Sequence, residues 1–465
     1  MPKKTIIYIM LLFPLLIGLA CRFTSRADPT ATPTEEPEVV VATEAVPEIA
    51  APTKITSQEE PAQEPSPRPV QETKDLVILD QSAWIQDGDL VFVGYLIENP
   101  SSDIFYEGVE FTIRIFSPDG SLIDTSYISG LSFFPNTTRG LAAMFYLADA
   151  NFVVDSADIS WTFTGTSTAS DATDPLTADN LVVWDNDGYP IITGKVFNND
   201  ALTYTDIRID ILCYDQADEI VGGGIAYLDF IHLNDYMGFT AYVDTFEDVE
   251  RVEAFPSFSL STSAIDKTDF KSEISVLDDY FYTDQFGYLN GGIIIQNKTD
   301  AVIESSLVYI TFYDKDDHVT STGSKYIDKL LPGDTLGLAP WISTPPEEAV
   351  TEWYDILFLP GDLNENYELD SNPFRVNSTS VTGDFDNYVL VNFTNTYSKQ
   401  VSEVDVYVLV FDEQGDIIGG GNTWTREPTP AGGTGEIDVW LSYGSNRTIA
   451  SIQAWVVPSH FTRFD

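Results

Sequence analysis

Hydrophobic and polar residues alternate along four long segments of the chain. In the first, VEFTIRIF (109–116), apolar residues occupy every second position, and a similar alternation occurs in IRIDILCY (207–214), SLVYITFY (306–313) and VDVYVLVF (404–411). A period of two places successive side chains on opposite faces of a β-strand. Each segment runs into an Asp- or Gly-containing turn and a second apolar stretch, so each predicts a β-hairpin.

These hairpins recur at a nearly constant interval. The aromatic residues that end the long strands are spaced 98, 99 and 98 residues apart: Phe116, Tyr214, Tyr313 and Phe411. An earlier strand of each repeat ends in an asparagine: Asn99, Asn198, Asn297 and Asn395. Several short strands per repeat, without an amphipathic helix, are typical of β-sandwiches. The sequence predicts an all-β chain of four tandem immunoglobulin-like β-sandwich domains at 77–172, 173–269, 270–372 and 373–465.

The same segments resemble the FxLYD family, small immunoglobulin-like domains of bacterial surface and secreted proteins. The family pattern runs from a glycine and a strand to an asparagine, then to a long strand that ends in an aromatic residue and aspartate. GKVFNNDALTYTDIRIDILCYDQADEIVGG (194–223) fits this pattern, as do FYDKDDHVTSTG in the third repeat and VFDEQGDIIGGG in the fourth. The first repeat departs at Ser117. The resemblance implies a fold and no particular activity, because the family is recognised by its fold.

The first twenty residues predict an export signal. Lys3 and Lys4 precede an apolar run from Thr5 to Ala20 that is shorter than a comfortable membrane span. The stretch that follows is rich in proline and glutamate, and its apolar residues show no period, so it cannot bury enough surface to offset its ordering entropy. We expect a signal peptide at 1–20 and a disordered tether at 21–76.

Gly18-Leu19-Ala20-Cys21 resembles the bacterial lipobox, although Gly18 stands where that motif usually has leucine. In lipobox proteins a signal peptidase cuts before the cysteine, whose thiolate receives a diacylglycerol. The resemblance implies that Cys21 is lipidated and attaches an exported protein to the outer face of a bacterial cell membrane. The other cysteine, Cys213, has inward parity on its strand and is expected to be a buried core residue.

The net charge of the chain limits the classes of partner that it can bind. There are 73 acidic residues against 23 lysines and arginines, a formal net charge of −50. The signal contributes +2 and the tether −6, which leaves −46 on residues 77–465. Such a surface repels phosphate backbones, so we expect no nucleic-acid partner. It suits a protein that stays soluble outside the cell, and it would attract cations or basic partners.

The sequence lacks the motifs of common catalytic sites. Its three histidines, His232, His318 and His460, fall in different repeats, and there is no HExxH, G-x-S-x-G or phosphate-loop motif. The glycine runs at 222–224 and 419–421 follow strands and do not open helices. Carboxylates are so abundant that no pair is singled out for acid–base chemistry. We therefore predict no enzymatic activity, no catalytic residue and no cofactor, with calcium as the one ion to weigh.

The segment DLNENYELD (362–370) is a candidate calcium site. Asp362, Asn364 and Asn366 occupy the first, third and fifth positions of a loop similar to an EF-hand loop, and Glu368 and Asp370 follow. The central glycine and the final glutamate of that motif are missing. The alternative interpretation is an ordinary loop. If Ca²⁺ binds here, it would stiffen the junction between the third and fourth domains.

Aromatic residues offer the last candidate surface. Some have outward parity on their strands: Tyr214, Tyr309, Tyr313 and Phe411. Five tryptophans fall in the last two repeats: Trp341, Trp353, Trp424, Trp440 and Trp455. Aromatic platforms among acids suit sugar stacking, whereas outward residues also pack against neighbouring domains. The sequence thus favours a non-enzymatic, lipid-anchored spacer, scaffold or protein-interaction module, and the alternative is a carbohydrate- or calcium-dependent adhesion module. The identity of the protein or glycan partner stays open.

Overall fold

The computed structural model describes residues 75–464 except 83–84, 88, 149–152, 169–171, 186–189, 246–247, 266–272, 360, 370, 384–386 and 445–446. The predicted signal peptide, Cys21 and the tether up to residue 74 lie outside these residues. Residues Gln71–Asp465 form one compact unit. The regular elements of the described residues are all β-strands, and every strand pairing is antiparallel, which confirms the predicted all-β class. Among these residues, no helical segment reaches the length and apolarity of a membrane span.

Sandwich 1 consists of two facing sheets. Its strands are β1 (Val77–Gln81), β2 (Ile85–Asp87), β3 (Leu90–Glu98), β4 (Ile104–Phe116), β5 (Leu122–Phe133), β6 (Thr138–Tyr146) and β7 (Ser156–Thr168). In its front sheet, β3 lies between β6 on one side and β1 and β2 on the other. Its back sheet has the order β5-β4-β7.

Sandwich 2 repeats this plan. Its strands are β8 (Leu176–Trp184), β9 (Ile191–Asn198), β10 (Thr203–Tyr214), β11 (Ile220–Ile231), β12 (Asp235–Tyr242), β13 (Asp244–Thr245), β14 (Arg251–Ser257) and β15 (Ala264–Ile265). The front sheet has the order β12-β9-β8, and the back sheet β13-β11-β10-β14, with β15 also on β10.

Sandwich 3 follows the same order. Its strands are β16 (Ile274–Thr283), β17 (Leu289–Asn297), β18 (Val302–Tyr313), β19 (Val319–Leu330), β20 (Thr335–Leu338), β21 (Trp341–Ile342), β22 (Trp353–Leu359) and β23 (Asp362–Asn364). The front sheet is β16-β17-β20, and the back sheet is β21-β19-β18-β22, with β23 also on β18.

Sandwich 4 completes the series. Its strands are β24 (Phe374–Thr382), β25 (Tyr388–Asn395), β26 (Val404–Phe411), β27 (Ile417–Thr425), β28 (Thr434–Trp440), β29 (Ser442–Tyr443) and β30 (Ser451–Pro458). The front sheet is β24-β25-β28 and the back sheet β29-β27-β26-β30. In all four sandwiches, the two sheets enclose apolar side chains that alternate along the strands, as immunoglobulin-like sandwiches do.

The alternating segments lie where their parity predicts. In β4, Val109, Phe111 and Ile113 are buried in the core of sandwich 1. Cys213 of β10 is fully buried in the core of sandwich 2, which confirms its predicted inward position. Burial raises the pKa of the Cys213 thiol to about 12, so this thiol stays protonated and unreactive at neutral pH.

One asparagine is buried at the same place in every sandwich, with at most 1% of its surface exposed: Asn99, Asn198, Asn297 and Asn395. In sandwich 3, Nδ2 of Asn297 donates to the carbonyls of Ala301 (2.8 Å) and Leu330 (2.9 Å), and its Oδ1 accepts from the amide of Thr299 (2.8 Å). The other three asparagines make the equivalent bonds. Each asparagine therefore ties the loop after its own strand to the end of the long hairpin, which explains its regular recurrence.

The long hairpins turn in a common way. Three of them begin with an aspartate whose Oδ1 accepts hydrogen bonds from the amides two and four residues later: Asp215, Asp314 and Asp412. In sandwich 1, Ser117 replaces this aspartate, and the carboxylate of Asp119 accepts from the amide of Ser121 instead (3.0 Å). The aspartate that follows each long strand is thus a turn-forming residue, and the departure at Ser117 keeps the turn.

Candidate functional site

Consecutive sandwiches pack the front sheet of one against the back sheet of the next. We call these contacts joint I (sandwiches 1 and 2), joint II (2 and 3) and joint III (3 and 4). The front sheet has a glycine at the same register in each joint: Gly140, Gly238 and Gly337. A Cβ atom on these glycines would lie 2.4 Å from Phe255, 2.3 Å from Thr311 and 2.2 Å from Trp455, all in the following sandwich. The absent side chain therefore lets neighbouring sheets approach closely.

Joint I combines apolar contacts with a buried ion pair. Leu212 and Tyr214 of sandwich 2 pack with Phe92 of sandwich 1 in one buried cluster. Arg208 and Asp210 form a salt bridge (2.7 Å) and also bind the backbone of Ala142 on β6. The Ala142 amide donates to Asp210 Oδ1 (3.0 Å), and the Ala142 carbonyl accepts from Arg208 Nη2 (3.2 Å). The ion pair thereby satisfies the open edge of β6 as a neighbouring strand would.

Joint II is built around a tyrosine and a lysine. Tyr309 of sandwich 3 is buried in the core cluster of sandwich 2, and its hydroxyl donates to the carbonyl of Gly238 (3.0 Å). Lys195, which is 2% exposed, pairs with Asp317 (2.5 Å) across the joint. Its ammonium also lies over the ring of Tyr313 at 4.8 Å. Both polar groups of the lysine–aspartate pair are therefore engaged across the boundary between the sandwiches.

Joint III uses larger side chains. Tyr407, Leu409 and Trp455 of sandwich 4 are buried in the core cluster of sandwich 3. The indole of Trp455 donates to Thr335 Oγ1 (3.3 Å). Lys329 of sandwich 3 donates to the carbonyl oxygen of Ser459 (3.3 Å). Apolar and polar contacts of this kind across a shared core hold the two sandwiches in one orientation.

Joint III also contains a carboxyl group with an altered pKa. Burial, together with the neighbouring carboxylate of Asp328 across the joint, raises the pKa of Asp405 to about 7. Lys325 of sandwich 3 opposes this shift. Because two neighbouring carboxylates repel each other when both are charged, protonation of this pair favours the closed joint.

Among the described residues, no sheet of another sandwich packs against the back sheet of sandwich 1. The positions that Asp210 and Phe255 occupy in sandwich 2 are filled in sandwich 1 by Thr112 and Ser160, which face each other across β4 and β7. Ser160 is exposed, and Thr112 is partly exposed. The back sheet of sandwich 1 is therefore polar where the other three back sheets are buried.

In the part of the chain that the structure describes, no other sandwich packs against the front sheet of sandwich 4. Glu436 occupies the register of the joint glycines there, opposite Asn392 on β25. Asn392 Nδ2 donates to Glu436 Oε1 (2.8 Å), and Asn377 Nδ2 donates to Asn392 Oδ1 (2.7 Å). A hydrogen-bonded polar network thus covers the surface that in sandwiches 1 to 3 receives the next sandwich.

The aromatic residues considered in the sequence analysis are partly buried at the joints and partly exposed. Tyr214, Tyr309 and Tyr313 are buried at the joints, between 1% and 6% exposed, so outward parity does not make them a surface platform. Trp455 is likewise buried at 8%, and Trp353 stacks on Tyr313 with ring centroids 4.0 Å apart. Three of the five tryptophans remain exposed by more than half: Trp341, Trp424 and Trp440. The sequence could not separate these groups, because the residues that cover the buried ones lie far away in the sequence, mostly in a neighbouring sandwich.

The predicted calcium segment is partly a strand. Asp362 and Asn364 lie in β23 opposite Glu304 and Val302 of β18. Asn364 Oδ1 accepts from the Asn366 amide (3.0 Å). Glu368 accepts hydrogen bonds from Tyr397 (2.9 Å) and Lys399. Asp370 lies outside the described residues, and calcium binding at these five residues stays a prediction.

A second cluster of potential metal ligands lies at the hairpin turn of sandwich 3. One ligand atom each from Asp314, Asp316 and His318 falls within 4.8 Å of the others. The Asp314 carboxylate is already engaged, since Oδ1 accepts from the amides of Asp316 and His318 and Oδ2 contacts His318 Nδ1 (3.2 Å). Partial burial acts in the opposite direction, but these hydrogen bonds keep the pKa of Asp314 below its usual range. The hydrogen bonds of the hairpin turn are sufficient to explain the position of the Asp314 carboxylate.

Described grooves bring few carboxylates together. A groove of about 390 Å³ between the back sheet of sandwich 1 and sandwich 2 is lined by Phe105, Tyr204 and Phe258 and has one carboxylate, Glu107. A second, of about 240 Å³ on the open back sheet of sandwich 1, has only Glu110. General acid–base hydrolysis by a carboxyl pair needs two such groups in one cleft. Neither of these two grooves therefore contains a pair of carboxyl groups that could act in this way.

No protein-family model matches the sequence, and no curated protein matches it either.

Proposed function

We propose that the protein is a non-enzymatic, lipid-anchored surface protein whose four sandwiches act as a stiff spacer or scaffold. The observation that supports this most strongly is the repeated joint. At each joint a glycine allows close approach, and buried side chains of the next sandwich fill the contact. Domains joined only by linkers move relative to one another, whereas large buried contacts hold them in place. Four sandwiches joined in this way would set a fixed length between the end of the tether and a distal surface.

The attachment belongs to the same proposal. Cys21 in the lipobox-like sequence would hold the chain at the outer face of a bacterial cell membrane, and the tether would give it a reach of roughly 40 Å. The long-strand, asparagine and turn pattern supports a relationship to FxLYD domains, which we propose on that pattern. A protein or glycan at the distal end would be the partner of such a scaffold.

Substitution of Cys21 tests the attachment. We expect Cys21→Ser to move the protein from the membrane fraction to the soluble fraction, because serine cannot accept the thioether-linked lipid. Cys213→Ala is the matched control, since it removes the other thiol while leaving the lipobox intact. Membrane retention of Cys21→Ser at the level of the wild type would refute the lipid anchor.

Solution scattering tests the stiff spacer. We expect the wild-type protein to show one well-defined distribution of distances that does not change with salt concentration. Gly238→Leu should broaden that distribution, because the new side chain collides with Thr311 at joint II. Phe286→Ala, at an exposed turn of sandwich 3, is the control. A wild-type distribution as broad as that of Gly238→Leu would contradict a stiff array.

A further inference from the structure

Exposed aromatic residues recur at two equivalent positions in sandwiches 2, 3 and 4. We call them the aromatic row. On the second strand of the long hairpin they are Tyr227, Tyr326 and Trp424, and at the end of the fifth strand of the sandwich or just beyond it they are Tyr242, Trp341 and Trp440. Each is between 53% and 72% exposed. Their spacings of 98 or 99 residues are those of the sandwiches themselves.

The fold places the two aromatic residues of each sandwich on neighbouring stretches of the backbone. Trp341 pairs with Ser324 of β19, and Tyr326 lies two residues further along the same face of that strand. In sandwiches 2 and 4, the carbonyls of Tyr242 and Trp440 approach Gly224 and Gly421 in the same way. Diagonal neighbours on adjacent strands are about 7–8 Å apart, within reach of a shared ligand.

Glycines make this arrangement possible. A Cβ on Gly224, Gly323 or Gly421 would lie 1.9–3.0 Å from the carbonyl oxygen of the neighbouring aromatic residue. The strand that bears the aromatic residue therefore crosses from the front sheet to the edge of the back sheet only where these glycines permit. Sandwich 1 has Ser126 at the equivalent position, and among its described strands β6 pairs with β3 and not with β5. The glycine runs at 222–224 and 419–421 thus allow the backbone approach on which the aromatic row depends.

The row is continuous across the joints. The hydroxyl of Tyr326 in sandwich 3 contacts Asp229 of sandwich 2 (3.4 Å), two residues after Tyr227 on the same strand. Lys325 of sandwich 3 donates to Asn422 of sandwich 4, two residues before Trp424. The long-hairpin strands that bear the aromatic residues therefore follow one another along the same side of the array.

The surroundings of the rings are mostly polar. Asp229 and Asp328 follow Tyr227 and Tyr326 by two residues, on the same face of their strands. Ser324 lies opposite Trp341 in sandwich 3, and its equivalents two residues before the hairpin aromatic residue are Asn422 in sandwich 4 and Ile225 in sandwich 2. Protein-binding patches instead have a contiguous apolar centre. Flat rings set among hydrogen-bonding groups fit the apolar C–H face and the hydroxyl groups of a sugar ring.

We propose that the aromatic row binds an extended neutral polysaccharide along sandwiches 2 to 4. A ligand that meets three equivalent sites in a fixed row is itself a repeating polymer. The acidic excess of the chain, −50 overall, excludes a polyanion and favours an uncharged one. Several weak ring contacts on one polymer add up to a much higher affinity than one contact gives. This inference goes beyond the spacer role and does not depend on the lipid anchor.

Affinity electrophoresis of the full chain in detergent tests the row. The probes are three neutral polymers, hydroxyethylcellulose, mannan and laminarin, and one anionic polymer, alginate. We expect at least one neutral polymer to retard the wild-type protein and alginate to have no effect. Trp341→Ala should weaken the binding about tenfold, and the triple variant at Trp341, Trp424 and Trp440 should weaken it more than a hundredfold.

Phe286→Ala is the matched control, because it removes an exposed aromatic residue outside the row. Circular dichroism checks the fold of every variant, and the single variants replace the triple variant if it does not fold. Retardation by a neutral polymer that the tryptophan variants lose and Phe286→Ala keeps would support the row. Absence of retardation by all three neutral polymers, equal retardation of the tryptophan variants, or equal retardation by alginate would overturn it.

Discussion

The back sheets of sandwiches 1 and 2 have the same central strands, but their outer surfaces differ. In sandwich 2, Asp210 and Phe255 are covered by the preceding sandwich, and in sandwich 1 the equivalent Thr112 and Ser160 meet solvent. The front sheets show the same contrast, since three have a glycine where the last has Glu436. The fold of a sandwich is thus set by its inward residues, and its place in the array is set by its outward ones. Polar end surfaces of this kind are usual in stacked repeats.

Removal of the buried cation of joint I should have the largest effect. We expect Arg208→Ala to lower the free energy of unfolding by about 3–5 kcal/mol, because Asp210 would remain buried without its partner. The comparable pair on the open back sheet, Arg114 and Asp158, is 3.8 Å apart and exposed. Arg114→Ala should therefore change the stability by less than about 1 kcal/mol. Urea unfolding measures both, and equal losses would remove the distinction between covered and open back sheets.

A side chain at a joint glycine should have a smaller effect. Gly337→Leu places atoms against the Trp455 ring and should destabilise joint III by about 2–3 kcal/mol. Glu436→Leu makes the same side chain at the equivalent register of the open front sheet, where we expect a change within about 0.5 kcal/mol. Thermal unfolding followed by tryptophan fluorescence compares the two. A greater loss at Glu436 than at Gly337 would mean that the joint glycines do not define the contacts.

The pH dependence of joint III should be the smallest effect. The pKa of Asp405 is about 7 in the folded protein, above its value in the unfolded chain, so the folded state holds the proton more tightly. The stabilisation is present at low pH and is lost as the pH rises through 7. Between pH 6 and pH 8 this loss should be about 1.4 kcal/mol.

Asp405→Asn should remove most of that slope, whereas Asp438→Asn on the open front sheet should leave it unchanged. Urea unfolding at the two pH values measures the difference for each variant. A stability that rises from pH 6 to pH 8 in the wild type but not in Asp405→Asn would contradict the role of the carboxyl pair at the joint.

The fold could be predicted from the sequence because strands and hairpins are signalled by residues that are close together in the chain. The alternating segments predicted strands, the Asp-containing turns predicted hairpins, and the parity of Cys213 predicted a buried thiol. The four asparagines were recognisable by their spacing. Their hydrogen bonds to the far end of the long hairpin, about 35 residues away, required the structure.

The surfaces were less predictable because they depend on distant residues. Tyr309 and Tyr313 have the parity of exposed aromatics, and only the packing of sandwich 2 against sandwich 3 buries them. The EF-hand-like spacing of Asp362 and Asn364 could not reveal that both residues pair with β18. The joint glycines do leave a signal in the sequence, since Gly140, Gly238 and Gly337 follow the period of the repeats.

The contacts at the joint glycines also bear on the order in which the sandwiches assemble. The strand pairings of each sandwich lie within about one hundred residues, so its sheets can form as soon as its own last strand is available. Its front sheet then stays exposed until the next back sheet has formed. A partly folded chain therefore exposes the front-sheet surface around the joint glycine. The front sheet of the fourth sandwich does not depend on a following back sheet in this way. The side chains of Glu436 and Asn392 form a hydrogen-bonded polar surface there that water can solvate.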